Sequence, residues 1–298
     1  MLSRFKNYYY GFLFGVLILS IFTIYVLKQN QLLMNIEQVQ DYNSVKIDDK
    51  YSDNKELKTI LPSSVLKNDN NFEQDMKKTL NYVATSVNGR YVSNPNLTAY
   101  QKLNNILTQN GGGICGDLAM ILKEILEVKG YTARTIQLIR QVGSSYDTHV
   151  LTEVWDSKRN KFIALDPTFD IMFQSNNQYI NANEVKNIFL YKKETINIDE
   201  SVQQKVAKYK EYYVNYFSLY NHVLIVKANS QSGYKRLISK LPIFNNYLGR
   251  KYYIEKDSSL YGVSILYKIF YVYIPLFLLL NVVIITLMKI KNMTKRQN

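Results

Sequence analysis

Three residues in this 298-residue chain combine the types and order that thiol chemistry needs. Cys115 is the only cysteine, and it follows Gly111, Gly112 and Gly113 in "GGGICGDLAM". His149 is one of two histidines and precedes "VLTEVW", while Asp166 closes "KFIALDPT". A cysteine reacts as its thiolate, so it needs a local field that favours the anion. Leu118, Ile121, Leu122, Ile125 and Leu126 recur at helical spacing after Cys115, with Lys123, Glu124 and Glu127 largely on the other side. Gly130 stands where a helix-ending glycine belongs. Cys115 therefore falls in the first turn of a helix, where unpaired amides and the positive end of the dipole stabilise a negative charge. The neighbouring glycines, Gly113 and Gly116 above all, allow a sharp turn and let a carbonyl approach backbone N–H donors.

An imidazole must then be brought to the thiol and held. Alternation of Val150, Thr152 and Val154 against His149, Leu151 and Glu153 reads as a strand. "DSKRNK" is a polar turn, and "FIALD" is a second strand that Pro167 stops. A hairpin centred on Ser157 and Lys158 pairs Glu153 with Phe162, Leu151 with Ala164, and His149 with Asp166. The imidazole and the carboxylate would then lie directly opposite on one face, with Cβ atoms about 4.5 to 5.5 Å apart. A one-residue slip would put them on opposite faces. A carboxylate so placed orients the ring and stabilises its charged form.

The blocks "GGGICGDLAMILKEILEVKGYTAR", "THVLTEV" and "ALDPT" together resemble the transglutaminase-like superfamily, papain-like thiol enzymes with the order Cys, His, Asp. The resemblance covers roughly residues 75 to 190. It implies an α+β fold in which a cysteine-bearing helix packs on an antiparallel sheet. It implies Cys115 as nucleophile, His149 as general base and acid, and Asp166 as its orienter. Leu151 stands where family members often carry an aromatic residue two places after the histidine. The reaction so implied cleaves a peptide or protein amide through a thioester, resolved by water in a hydrolase or by an amine in a crosslinking transferase. The resemblance favours hydrolysis. A scaffold that keeps the fold without catalysis is the competing reading.

Other candidates carry less. Asp117 lies in the helix's first turn, where an acid is favourable for the dipole alone. Trp155 suits a sheet edge or core better than a substrate. His222 precedes the apolar run "VLIVKA". One cysteine and two distant histidines give no pair at metal-ligand spacing, and no glycine-rich phosphate loop appears, so no metal and no cofactor are expected.

Attachments flank this core. Tyr8 to Leu27 and Ile269 to Met288 are each 20 residues without a charge. That length of helix crosses roughly 30 Å of hydrocarbon. The first run is too long for the apolar part of a cleavable signal, and no small-residue cleavage site follows it. Arg4 and Lys6 precede it, and Lys289, Lys291, Lys295 and Arg296 follow the second, so both termini are expected in the cytoplasm and residues 29 to 268 outside it. A lone cysteine there can form no intramolecular disulfide, so structure does not account for it. The expected domains are 1–28 as a transmembrane anchor, 29–70 as a polar stalk, 71–190 as the thiol domain, 191–268 as a Tyr/Lys-rich region, and 269–298 as a second transmembrane helix with a basic tail. Hydrophobic residues at 47% suffice for one core. The net charge of +13 reads first as a solvated basic surface near a membrane, with an anionic partner as the alternative. On the outer side that means lipid headgroups or an anionic wall polymer rather than nucleic acid. Heavy use of Lys, Asn, Ile and Tyr fits an AT-rich bacterial genome.

Overall fold

The computed structural model describes residues 2–29, 33, 36–45, 55–87, 90–91, 97–109, 111–142, 145–187, 222–228, 250–255 and 258–294. Most of the Tyr/Lys-rich region expected over 191–268 lies outside these residues. The chain divides into two units. One comprises Gln38–Ser230 with Tyr252–Glu255, and the other comprises Met1–Glu37, Gln231–Lys251 and Lys256–Asn298.

The described strands are β1 (Ile36–Val39), β2 (Arg90–Tyr91), β3 (Gly111–Gly112), β4 (Ala133–Val142), β5 (Ser145–Asp156), β6 (Lys161–Asp166), β7 (Ile171–Met172), β8 (Gln174–Ser175), β9 (Gln178–Tyr179), β10 (His222–Ala228) and β11 (Arg250–Glu255). Seven of them form one sheet in the order β1-β11-β10-β4-β5-β6-β7. From β10 to β7 the neighbours are antiparallel. β2 and β3 form a short parallel pair that leads straight into the cysteine helix.

Alternation along the strands gives the sheet two apolar faces, each with its own cover. Ala133, Val154, Ile163 and Leu165 join one core with Leu118, Ile121, Leu122 and Ile125 of the Cys115–Val128 helix and with Met76, Leu80, Leu103 and Ile106 from the Phe72–Ser86 and Ala99–Gln109 helices. Ile136, Leu138, Leu151, Ala164, Val223 and Ile225 join a second core with Tyr42, Phe169, Phe173, Ile180 and Val185. The cysteine-bearing helix on an antiparallel sheet is as expected. The cover on the second face is not visible in the sequence reading.

The cysteine helix ends as its glycine requires. Gly130 has φ +90°, Tyr131 N–H donates to Leu126 O at 2.9 Å, and Gly130 N–H donates to Glu127 O at 2.9 Å. This is the paired-bond glycine cap, and Gly130 is where a left-handed residue is needed.

Two expectations are corrected here. The described parts of residues 29–70 are packed, not a polar stalk. Tyr42 lies in the second core, and Leu57, Leu61 and Val65 lie in the first, from short helices at Lys55–Ile60 and Ser63–Leu66. Spaced apolar residues anchor these turns although the surrounding text is charged. The hairpin register also differs. Glu153 pairs with Ala164, Trp155 with Phe162 and Asp156 with Lys161. The turn centres one residue later than expected. Asp156 Oδ1 accepts the Lys158 N–H at 2.9 Å, and Asn160 takes φ 52° to re-enter β6.

In the other unit, Leu2–Gln29 is one helix containing the whole first apolar run. The second run is a rod of helix at Ser259–Lys268, a π-turn at Ile269–Tyr273, and helix again at Ile274–Thr294. Pro275 explains the π-turn: its ring has no N–H and would collide with the carbonyl four residues back in an unbroken α-helix. Ser259–Met288 is long and apolar enough to cross a membrane. This helix begins ten residues before the expected span, and its first part is tied down by Ser264 Oγ to Leu33 O at 2.5 Å and Lys268 Nζ to Ile36 O at 3.0 Å. Among the described side chains of the first helix, Tyr10–Phe22 is an uninterrupted apolar stretch.

Candidate functional site

Cys115 is the first residue of its helix and is half-buried. The amides of Cys115 and Gly116 sit at the open head of the helix, where no intrahelical acceptor exists for them. Ile114 precedes Cys115 as the cap residue in extended conformation, and its side chain is 47% exposed. It offers no capping oxygen. Asp117 supplies the carboxylate instead, accepting the Ile114 N–H at 3.2 Å.

His149 is 5% exposed and Asp166 is fully buried. His149 Nε2 lies 2.6 Å from Asp166 Oδ2. The observed register makes this a diagonal contact, since Leu151 rather than His149 falls opposite Asp166 when the ladder is continued. The correction moves the pairing by two residues in total, an even step, so both side chains stay on one face. The second carboxylate oxygen accepts the Thr168 N–H at 2.9 Å. Phe169 stacks on the imidazole with centroids 5.5 Å apart and planes 24° apart. The "DPTF" turn therefore holds the histidine from two sides, one polar and one apolar.

Electrostatics link the pair to the thiol. Burial opposes the thiolate of Cys115, but a hydrogen bond with His149, the imidazolium charge and the Val150 backbone amide outweigh it, and the thiol pKa falls below its ordinary value. Burial also opposes charge on His149. The Asp166 charge and hydrogen bond, then those of Cys115, overcome it and push the imidazole up to about 10. Both shifts favour a thiolate beside an imidazolium at neutral pH. With Nε2 committed to Asp166, the nitrogen left for the thiol is Nδ1.

The remaining candidates separate. Trp155 makes an edge contact with Phe162 at 5.0 Å, six residues along β5 from His149, roughly 20 Å at strand rise. It belongs to the sheet and not to the site. His222 stands on β10, separated from β5 by β4, and is not among the groups acting on the thiol. Burial, then the Lys186 cation, lowers its pKa to about 4. Of the glycines, a Cβ on Gly113 would meet Leu118 at 3.2 Å and Asp117 at 3.3 Å, while one on Gly116 would meet only Val150 at 3.9 Å. The strongest requirement falls on Gly111, where a Cβ would sit 2.9 Å from the Asn105 carbonyl oxygen. Phe169, Lys102 and the Val150 amide were not found by sequence reasoning. Phe169 alone left a trace, as the aromatic in "ALDPTF". Among the described residues no group of three metal-ligating side chains occurs.

Comparison with known proteins places this geometry. The sequence pattern of the Transglutaminase-like superfamily matches residues 61–167, which include Cys115, His149 and Asp166. A search of curated proteins finds no match. Among solved structures, a candidate cysteine protease from Cytophaga hutchinsonii is similar at 18% identity with a TM-score of 0.26, over 33% of this chain and 32% of that one. This chain therefore spans about a third of that protein's length. The cysteine-headed helix, the antiparallel sheet and the family match agree: residues 61–167 are a domain of the transglutaminase-like superfamily of thiol enzymes.

Proposed function

We propose that the protein is a membrane-anchored cysteine hydrolase whose domain lies outside the cytoplasm and cleaves protein or wall-peptide amides. The observation that carries this is the His149–Asp166 pair, 2.6 Å apart and held against the thiol at the head of its helix. In the first step Cys115 Sγ attacks the amide carbonyl carbon. The oxyanion is met by the amides of Cys115 and Gly116, and as the C–N bond breaks the His149 proton passes to the leaving amine. The product is a thioester on Cys115. His149 then takes a proton from water, hydroxide character attacks the thioester carbon, and the thiolate leaves with an acid as product.

Both apolar runs serve as membrane spans in this proposal, each 20 residues without a charge. Basic flanks at both ends keep the termini in the cytoplasm. The positive net charge holds the domain near anionic headgroups or wall polymer.

The test is incubation of the full chain in membranes with a fluorogenic peptide library and with purified wall peptides, alongside Cys115→Ala. Acid products that vanish in Cys115→Ala support hydrolysis. Incorporation of an added primary amine in place of water would make it a transferase, and equal signal from both proteins would leave a binding scaffold.

A further inference from the structure

The carboxylate of Asp117 has two duties. Its Oδ2 accepts the Ile114 N–H, and its Oδ1 receives the ammonium of Lys102. Lys102 comes from the Ala99–Gln109 helix and is 8% exposed. That helix start is fixed by Thr98 and Gln101, each donating a backbone N–H to the other's side chain, at 3.0 and 3.2 Å, and by the Lys102 N–H to Thr98 O at 2.9 Å. A long flexible side chain is thus delivered from a braced turn to one carboxylate. Asp117 lies two residues from Cys115 in the same helical turn. A bare carboxylate there would oppose a thiolate, and a bare ammonium would favour it. The charges that shift the thiol come from the sheet: His149 on β5 favours the anion and Asp166 at the end of β6 opposes it, while the paired Asp117 and Lys102 are not among them.

We infer that Lys102 is a positioning residue of the thiol site, pairing with Asp117 so that the turn from Ile114 into Cys115 is fixed while the Asp117 charge is masked from the nucleophile. The inference rests on the reading of Cys115 as nucleophile. It assigns Asp117 a mechanical task that its charge alone would make harmful, and Lys102 is what removes the harm.

The experiment is the rate of Cys115 alkylation by iodoacetamide against pH, followed by mass spectrometry on the full chain in detergent. It compares wild type, Lys102→Met, Asp117→Asn and the double variant. Asparagine keeps an acceptor for the Ile114 N–H, so Asp117→Asn isolates the charge. Lys102→Met is expected to move the midpoint up and Asp117→Asn to move it down, each by roughly threefold in thiolate fraction at fixed pH, with the double variant returning to wild type. Simple loosening of the turn would move both singles up, toward a free thiol. That outcome, two unmoved singles, or a double variant that does not return overturns the inference. If Lys102→Met fails to fold, Lys102→Arg should titrate as wild type while Asp117→Asn still moves down. An upward shift in Asp117→Asn overturns the inference there too. A wild-type thiol that titrates like free cysteine overturns the nucleophile reading itself, and is separated from the other failures because it needs no variant.

Discussion

Replacing Asp166 with asparagine keeps the shape beside His149 and removes the charge that raises its pKa. The imidazolium of the wild type should persist until about pH 10, so turnover should hold across neutral pH and fall as pH passes that value. In Asp166→Asn the falling limb should move down by at least about one unit, read from a pH–rate profile. His149→Ala should cost roughly 10²- to 10⁴-fold in rate and return the alkylation midpoint toward an ordinary thiol. Folding stability carries the same signature. The folded pKa of His149 is raised from 6.5 to about 10, so its contribution is complete below about pH 6.5 and is lost as pH rises through about 10. Denaturant midpoints should therefore fall between those limits in wild type and stay flatter in His149→Ala. Cys115, His149 and Asp166, which the structure brings together, were legible from type and order: the only cysteine, one of two histidines, and the aspartate at the end of the next strand. Phe169 and Lys102 were not: stacking on an imidazole and pairing across helices are set by tertiary contact, and an aromatic after "ALDPT" does not by itself say what it stacks on.

At the scale of elements, a buried node holds the sheet's second face. Glu153 on β5 accepts Tyr42 Oη at 2.8 Å, the Ala182 N–H at 2.7 Å and Arg134 Nε at 2.8 Å. Arg134 Nη1 donates to the carbonyls of Tyr42 and Val45, and its guanidinium lies between the Tyr42 and Phe162 rings. Removing one partner leaves a buried charge, so Glu153→Ala should cost about 3–5 kcal/mol, measured by chemical denaturation. The network explains why the segment around Tyr42 is part of the fold when composition reads it as a stalk. Its polar attachment is through the Tyr42 hydroxyl, the Tyr42 and Val45 carbonyls and the Asn43 side chain, which accepts the Phe162 N–H at 3.3 Å, none of it visible to hydrophobic periodicity. The hairpin shows the complementary case. Alternation gave the face of His149 and Asp166 correctly, yet the turn position depended on Asp156 capping its own loop, which pattern alone does not rank against a turn one residue earlier. Gly111→Ala should also be costly, about 1–3 kcal/mol, because the obstructing atom is a backbone carbonyl. Its alkylation kinetics should change with stability, since β3 runs directly into the cysteine helix.

For the whole molecule, the apolar rod after Ser259 leaves side chains such as Leu276, Phe277 and Leu287 more than half exposed. Truncation after Ser258 should remove that surface. If the first helix alone cannot hold the chain in a bilayer, the truncated protein will appear in the soluble fraction after carbonate extraction. Retention would show that the first run spans by itself. Within the rod, the π-turn has a geometric effect of its own. It holds one residue more than an α-turn would, so everything beyond Tyr273 is rotated about 100° from where an unbroken helix would carry it. The stripe formed by Leu260, Ser264 and Tyr267, buried before the turn, is therefore out of phase with the surface beyond it. Deleting one residue between Ile269 and Tyr273 would bring the two halves back into phase and turn a different set of side chains toward the first helix, with the length of the rod almost unchanged.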